Sequence, residues 1–310
     1  MKLSIIIPCK NEEGNIEELH NKISKTLKKI KYETIYIDDG STDNTLNKLK
    51  ELYKKDNKKV KVLSFSRNFK KEAAMLAGLQ YATGEYTCII DADLQQNPKY
   101  LLQMYNHLEK NEDCDIVGMY MKNRIDGSKL LKICKNAFYK VMSKLSDIQI
   151  EDAASDFRMF RTNVREAILS ISERNRFTKG IFAWIGFNAK YLPYDVEPRS
   201  SGKTSFGFIN YLKYAIDGLL SFSYKPLGIS TGLGITTLLS FFVYLIVLMI
   251  KVIWFDLIIN STHVIILLLL LLFGIQFILI GIVGKYIALV NDETKKRPHY
   301  IIKTKLGIKD

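Results

Sequence analysis

The sequence predicts an α/β domain built on a mainly parallel sheet, followed by an amphipathic helix and two membrane-spanning helices. Three observations predict it. Short β-forming runs alternate with segments of helical spacing over 3–121, the pattern of strands joined by crossover helices. Three of the strand-like runs end in the polar clusters "PCKNE", "DDGST" and "DADLQ", and ligands of open α/β sheets bind at the carboxyl ends of the strands. Two uncharged apolar runs, 227–250 and 264–284, stand in the last third, and each meets the roughly 20 residues needed to cross a bilayer.

"LSIIIP" reads as a buried strand stopped by proline. Ile16, Leu19, Ile23, Leu27 and Ile30 then recur at helical spacing, with Asn11 or Asn15 as the cap. "YETIYIDD" is a second strand ending in Asp38 and Asp39, and Ser41 and Thr42 suit the cap of a helix over 44–54. "KVKVLSFS" is a third strand, "KEAAMLAGLQYA" a helix closed by Gly84, and "YTCIID" a fourth strand. A helix over 98–110 and the strand "CDIVGMY" follow. Beyond them, 127–145 is a basic, partly amphipathic helix, and "EDAASDFRMFRTNVREAIL" carries Asp156 just ahead of Phe157 and Arg158. "RFTKGIFAWIGF" is aromatic and punctuated by glycine, and "EPRSSGKTSFGF" is a flexible basic loop. Phe208, Ile209, Leu212, Ile216, Leu219 and Leu220 form one helical stripe, which suits a helix lying in a membrane interface or, alternatively, one facing a core.

The chain has 310 residues and a formal charge of +13. Its lysines are spread through the helices and gather beside the apolar runs, so anionic lipid is a simpler partner than nucleic acid. Lys213 and Lys225 precede the first apolar run, and Lys285, Lys295, Lys296 and Arg297 follow the second. The short connection between them, "KVIWFDLIINSTH", holds only Lys251, with Trp254 as an interfacial anchor. The positive-inside rule then places both termini in the cytoplasm of a multi-pass cell-membrane protein. The opening "MKLSIIIPCKNEE" is too short in apolar residues and too acidic for a signal peptide. Cys9, Cys88, Cys114 and Cys134 form no C-x-x-C pair and read as reduced thiols, and the four histidines are isolated. With no G-x-G-x-x-G and no G-K-[ST] at the first strand, a Rossmann dehydrogenase or a P-loop kinase is disfavoured.

The stretch "IIDADLQQNP" ends a buried strand on Asp91 and Asp93. If the extended conformation persists through Ala92, both carboxylates share a face. Like charges that close repel, so the pair calls for a cation. Either it holds a divalent metal, or it is a solvated turn with a cap for the next helix.

The stretches "SIIIPCKNEEGNI", "IDDGSTDNT", "SRNFKKEAAMLAGL", "IIDADLQQNP", "SDFRMF", "RFTKGIFAWIGF" and "RSSGKTSF", in this order and ahead of two apolar runs, resemble family 2 glycosyltransferases of the GT-A type. The resemblance is close to the polyprenyl-phosphate glycosyltransferases, which include dolichyl-phosphate mannose synthase-like and bactoprenol glucosyltransferase-like proteins. It implies a GT-A, Rossmann-like catalytic domain over 1–205, an interfacial amphipathic region over 206–226, a transmembrane hairpin over 227–290 and a basic tail over 291–310. It also implies a nucleotide-sugar donor, a polyprenyl-phosphate acceptor such as undecaprenyl phosphate, Mg²⁺ or Mn²⁺, and inversion at the sugar. UDP-glucose is the favoured donor type and GDP-mannose the alternative, and the membrane hairpins could associate into a homo-oligomer.

By the same resemblance Asp91 and Asp93 hold the cation, joined by Gln95. Asp38 and Asp39 meet the nucleotide, with Pro8, Asn11 and Glu12 lining that pocket. Asp156 is the catalytic base or an acceptor-site acid. Arg199 and Lys203 grip the donor phosphates, and Arg124 and Arg158 the acceptor phosphate. Trp184 and Phe177 are aromatic candidates for packing near sugar or acceptor or, equally, for the core. Two positions depart from the pattern: Lys70 stands where relatives often have glycine, and Ser205 where many have lysine. A processive polysaccharide synthase is disfavoured by the lack of a Q-x-x-R-W motif, and a degenerate scaffold by the retained Asp91, Asp93 and Asp156.

Overall fold

The computed structural model describes residues 1–122, 154–174, 176–197 and 261–308, together with 243, 246 and 250. The first half alternates as the sequence predicts. β1 (Leu3–Cys9), α1 (Ile16–Thr26), β2 (Tyr32–Asp38), α2 (Thr45–Lys55), β3 (Val60–Phe65), α3 (Lys71–Tyr81), β4 (Tyr86–Ile89), α4 (Lys99–Lys110) and β5 (Ile116–Met121) follow one another. β6 (Ala154–Arg161), α5 (Thr162–Ser170), α6 (Thr178–Trp184), β7 (Ala189–Tyr194), α7 (Ser261–Thr294) and β8 (Ile302–Leu306) complete the described elements.

All eight strands lie in one sheet of order β7-β5-β6-β4-β1-β2-β3-β8. The central pairs β1/β2, β1/β4 and β2/β3 are parallel. β1 and β2 are buried almost throughout, because helices cover both faces, and such strands read as unbroken apolar runs. Ile5 and Ile7 join the core shared with Leu19 and Ile23 of α1, while Ile6 joins the opposite core with Ala74 and Ala77 of α3. α3 presses close to the sheet because its buried face is small: a Cβ on Gly78 would fall 2.3 Å from Ile6 Cγ2.

The sheet is mixed where the sequence suggested parallel neighbours. β6 enters antiparallel to both β4 and β5 and lies between them. β8 closes the other edge, antiparallel to β3. Residues 291–310, read from sequence as a basic tail, therefore contribute an edge strand. The Ser66 amide continues the pairing to the Ile301 carbonyl at 2.9 Å, and the Tyr300 ring stacks on Phe65 with centroids 4.9 Å apart.

The expected two-helix transmembrane hairpin is corrected here: among the described residues no helix is long and apolar enough to cross a membrane. The first apolar run falls outside the described residues except for three positions. In α7, side chains are described without interruption only from 282 onward, and that stretch carries Lys285, Asp292 and Glu293. The multi-pass membrane placement, and with it the cytoplasmic disposition of both termini, loses its basis in the same finding. The interfacial helix expected over 206–226 lies outside the described residues.

Candidate functional site

The polar clusters named from sequence do meet at the carboxyl edge of the central strands. β1 and β2 end side by side, with Cys9 in register with Asp38. Asn11, at φ 56°, turns the chain after β1, a left-handed conformation that asparagine tolerates better than most residues. Its amide donates to Ser41 Oγ at 3.0 Å, and its Oδ1 accepts from the Thr42 amide at 2.9 Å. The Glu12 amide donates to Thr45 Oγ1 at 2.8 Å. Pro8 sits on β1 opposite Ile37. The β1 and β2 loops are thus tied together before any ligand arrives.

Asp38 and Asp39 divide their work. Asp38 is buried and held at both oxygens: Oδ1 accepts from the Ser41 amide at 3.0 Å and Oδ2 from Ser64 Oγ at 2.8 Å. It fixes the turn. Asp39 Oδ1 accepts from the Phe69 amide at 2.6 Å, which ties the β2 loop to the loop before α3. Burial pushes the Asp39 carboxyl above its ordinary range, against the pull of the Phe69 amide and Lys10. Gly40 lies between the same two loops at φ +62°, and a Cβ there would come 2.6 Å from the Arg67 carbonyl carbon. The loop ahead of α3 also holds Lys70 at φ 75° and ψ 165°, a conformation that glycine alone adopts without strain. This is the position where the family resemblance leads one to expect glycine.

The acid pair does not share a strand face. β4 ends at Ile89, and 91–95 is a turn, with Leu94 at φ 63°. Asp93 Oδ1 accepts from the Gln95 amide at 3.2 Å within that turn. The buried Leu94 side chain holds the turn in its left-handed conformation. Asp91 is gripped by Gln96, whose Oε1 accepts from the Asp91 amide at 2.9 Å and whose Nε2 donates to Asp91 Oδ2 at 3.0 Å. Gln96 Nε2 also reaches Ser155 Oγ at 3.4 Å, next to Asp156 on β6.

The residue that sequence reasoning missed is Lys71. Its ammonium lies 2.6 Å from Asp91 Oδ1 and 2.9 Å from Asp156 Oδ2. It stands at the first turn of α3 and bridges the carboxylates that end β4 and open β6. Burial disfavours the ammonium, but Asp156 and Asp91 outweigh it and hold Lys71 charged well above the usual lysine range. Burial likewise pushes the Asp156 carboxyl up, and Lys71, Lys179 and Arg158 overcome it, leaving Asp156 well below the usual carboxylate range. Asp91 is raised, by burial first and then by Asp156 and Asp93, against Lys71. Next to Lys71, Glu72 accepts from the Thr178 hydroxyl and amide, and burial pushes it up to about 6.

The two aromatic candidates separate. Trp184 is exposed, and Phe177 is buried in the core. Arg158, expected at the acceptor phosphate, is buried: its guanidinium lies 4.2 Å from the Phe182 ring centroid, donates to the Ser155 carbonyl at 2.9 Å and helps to hold Asp156 ionised. It faces the interior. Arg124, Arg199 and Lys203 lie outside the described residues.

Among the described residues no group of three or more His, Cys, Asp or Glu is assembled to hold a metal ion. The donors that are present, carboxylate oxygens of Asp91 and Asp93, suit a hard cation such as Mg²⁺ or Mn²⁺. Mg²⁺ uses one or two carboxylates plus substrate phosphates and needs no all-protein cage.

Residues 4–169 match the family model described as glycosyl transferase family 2. The chain belongs to glycosyltransferase family 2. CsbB of Bacillus subtilis (strain 168), which bears a glycosyltransferase name, is 38% identical over 304 residues, covering 97% of this chain and 91% of its own. A prophage bactoprenol glucosyl transferase homolog of Escherichia coli (strain K12) is 36% identical over 98% of this chain and 99% of its own. The bactoprenol glucosyl transferase of Shigella phage SfX is 33% identical over 98% of this chain and all of its own length. Among solved structures, a glucosyl-3-phosphoglycerate synthase from Mycobacterium tuberculosis, crystallised with Mn²⁺ and UDP-glucose, is similar at 18% identity and a TM-score of 0.46, over 69% of this chain and 76% of that one. The protein is a transferase of sugars, and the acids clustered at its strand ends lie within the matched family-2 region.

Proposed function

We propose that this family-2 glycosyltransferase moves a hexose, from a UDP-sugar such as UDP-glucose, to undecaprenyl or another polyprenyl phosphate, with inversion at the sugar. The observation that carries this reading is likeness over the whole chain, not over the sugar-transfer domain alone, to relatives named bactoprenol glucosyl transferases. In this reading 1–205 forms the catalytic unit. Asp39 accepts from the nucleotide, in a pocket bordered by Pro8, Asn11 and Glu12, and Asp38 keeps the turn that presents it.

Asp91 and Asp93, with Gln95, hold Mg²⁺ or Mn²⁺, which when bound neutralises charge on the departing diphosphate. Gln96 keeps Asp91 aimed. Asp156 stays ionised beside Lys71. A lipid phosphate is already an anion at neutral pH, so Asp156 need not deprotonate it; it orients the acceptor and steadies positive charge developing on the sugar. Arg199 and Lys203 meet the donor phosphates and Arg124 the acceptor phosphate, since Arg forks suit phosphate oxygens.

The test is a transfer assay with undecaprenyl phosphate, Mg²⁺ and a panel of labelled UDP- and GDP-sugars, run beside Asp93→Asn. Label entering lipid from a UDP-hexose, and lost in Asp93→Asn, supports the reading. Transfer from a GDP-sugar alone overturns the donor assignment. No transfer from any donor, with both proteins binding nucleotide alike, overturns the acceptor and metal assignments.

A further inference from the structure

Among the described residues, the bridge made by Lys71 has no counterpart at Asp38 or Asp39. There, the carboxylate hydrogen bonds come from backbone amides and a hydroxyl, and the nearby Lys10 ammonium bonds the Asp39 and Gly40 carbonyls instead. Here, an Asp91 oxygen is occupied by a side-chain ammonium 2.6 Å away, on a flexible stem, and the same ammonium holds Asp156 at 2.9 Å. Lys71 and both carboxylates are only partly covered, so the ammonium has room to move and ions have a way in. Lysine is a compact point charge with freely rotating donors, unlike the planar arginine fork. Gln96 holds the other Asp91 oxygen from the far side, so the carboxylate stays aimed when the ammonium leaves it.

We propose that Lys71 is a resident counter-cation of the donor-side acid: it occupies Asp91 when no divalent ion is bound, must give up that contact for the ion to bind, and keeps its second contact on Asp156. This rests on the assignment of Asp91 as a metal ligand. Two positive charges cannot share one carboxylate oxygen without strong repulsion. Arrival of the ion therefore shifts Lys71 wholly to Asp156, so filling of the donor side is felt at the acid proposed for the acceptor side. Lys71 is a positioning residue in this scheme, acting through the two acids it links.

The consequence is opposite to what a merely structural lysine would give. Removing the ammonium should strengthen binding of the divalent ion, whereas loss of a structural prop should weaken it. The experiment is Mn²⁺ titration of nucleotide-free, full-length protein, read by the electron paramagnetic resonance of free Mn²⁺. It compares wild type with Lys71→Met, Lys71→Gln, Lys71→Arg and Asp91→Asn. Lys71→Met should bind Mn²⁺ roughly tenfold more tightly than wild type, the Coulomb term being discounted for partial exposure. Lys71→Gln, which is polar, neutral and shorter, should move the same way if the Met variant folds poorly. Lys71→Arg should stay near wild type.

Unchanged or weaker Mn²⁺ binding in both neutral variants, with Asp91→Asn still abolishing it, overturns the role of Lys71 and leaves the metal assignment standing. Equal Mn²⁺ binding by wild type and Asp91→Asn overturns the metal assignment at Asp91, and the inference with it.

Discussion

Two acidic regions lie along one sheet edge, and they are held by different means. On the β1–β2–β3 side, Asp38 and Asp39 accept from the Ser41 and Phe69 amides and the Ser64 hydroxyl. On the β4–β6 side, Asp91 and Asp156 share the ammonium of Lys71. The first arrangement is built into backbone turns, with the Lys10 ammonium on carbonyls rather than on the carboxylates. The second is a charge balance that another cation can enter. A carboxylate fixed by amides can read a neutral base or a ribose hydroxyl; a carboxylate fixed by an ammonium is set for chemistry in which charge moves.

The largest effect expected from this contrast is on transfer. Asp156→Asn should lower turnover by about 10² to 10⁴-fold while leaving UDP binding near wild type, because it removes charge placed for the reaction and no nucleotide contact. Steady-state transfer assays set beside UDP titration calorimetry check the split. A matched loss in both would merge the two regions into one.

Next comes Asp38→Ala, which should act on stability first. It strands the Ser64 hydroxyl and the Ser41 amide in a buried turn, at a cost of about 1–3 kcal/mol in urea unfolding. Nucleotide affinity should fall with it, because the turn presents Asp39.

Glu72 gives a pH signature on the charged side. Its carboxyl is raised from 4.5 to about 6, by burial above all. Between those values the folded protein keeps a proton that the unfolded chain releases, so stability falls as pH rises through the window. Glu72→Gln should flatten that slope relative to wild type in urea melts taken from pH 4.5 to 6.5, values chosen about the cited shift. An unchanged slope would place the titration elsewhere.

The smallest effect should come from Lys70→Gly. Relief of the positive φ should raise stability by about 1 kcal/mol, with donor affinity unchanged. A loss of donor affinity would mean that the Lys70 side chain serves the nucleotide side as well as occupying the turn.

Much of this was legible in the chain itself. The alternation of β1 to β5 with α1 to α4 follows from local periodicity; α1 stops at Thr26, short of the Leu27 and Ile30 expected in it, and the bounds of α2 and α4 differ from the expected ones by a residue. The helix expected over 44–54 is Thr45–Lys55, and that over 98–110 is Lys99–Lys110. The acidic strand ends were visible because turn residues and carboxylates follow apolar runs so abruptly. The extended path through Ala92 failed because Leu94 buries its side chain by taking a left-handed turn, which no alternation rule signals.

The sequence by itself determined the strands β1 to β5, which of them end in acids, and the family to which those acids belong, because each of these is written in neighbouring residues; β6, β7 and β8 were not read from it. Only the tertiary structure decided what the acids touch. Lys71 and Asp156 are 85 positions apart, and they meet because β6 runs antiparallel beside β4, bringing Asp156 to the start of α3. Gln96, which the sequence did not single out, is buried and holds Asp91. Arg158 turns inward onto Phe182, and the last residues return as β8 beside β3, for the same reason: long-range packing and pairing depend on where distant segments meet, and local pattern carries no record of it.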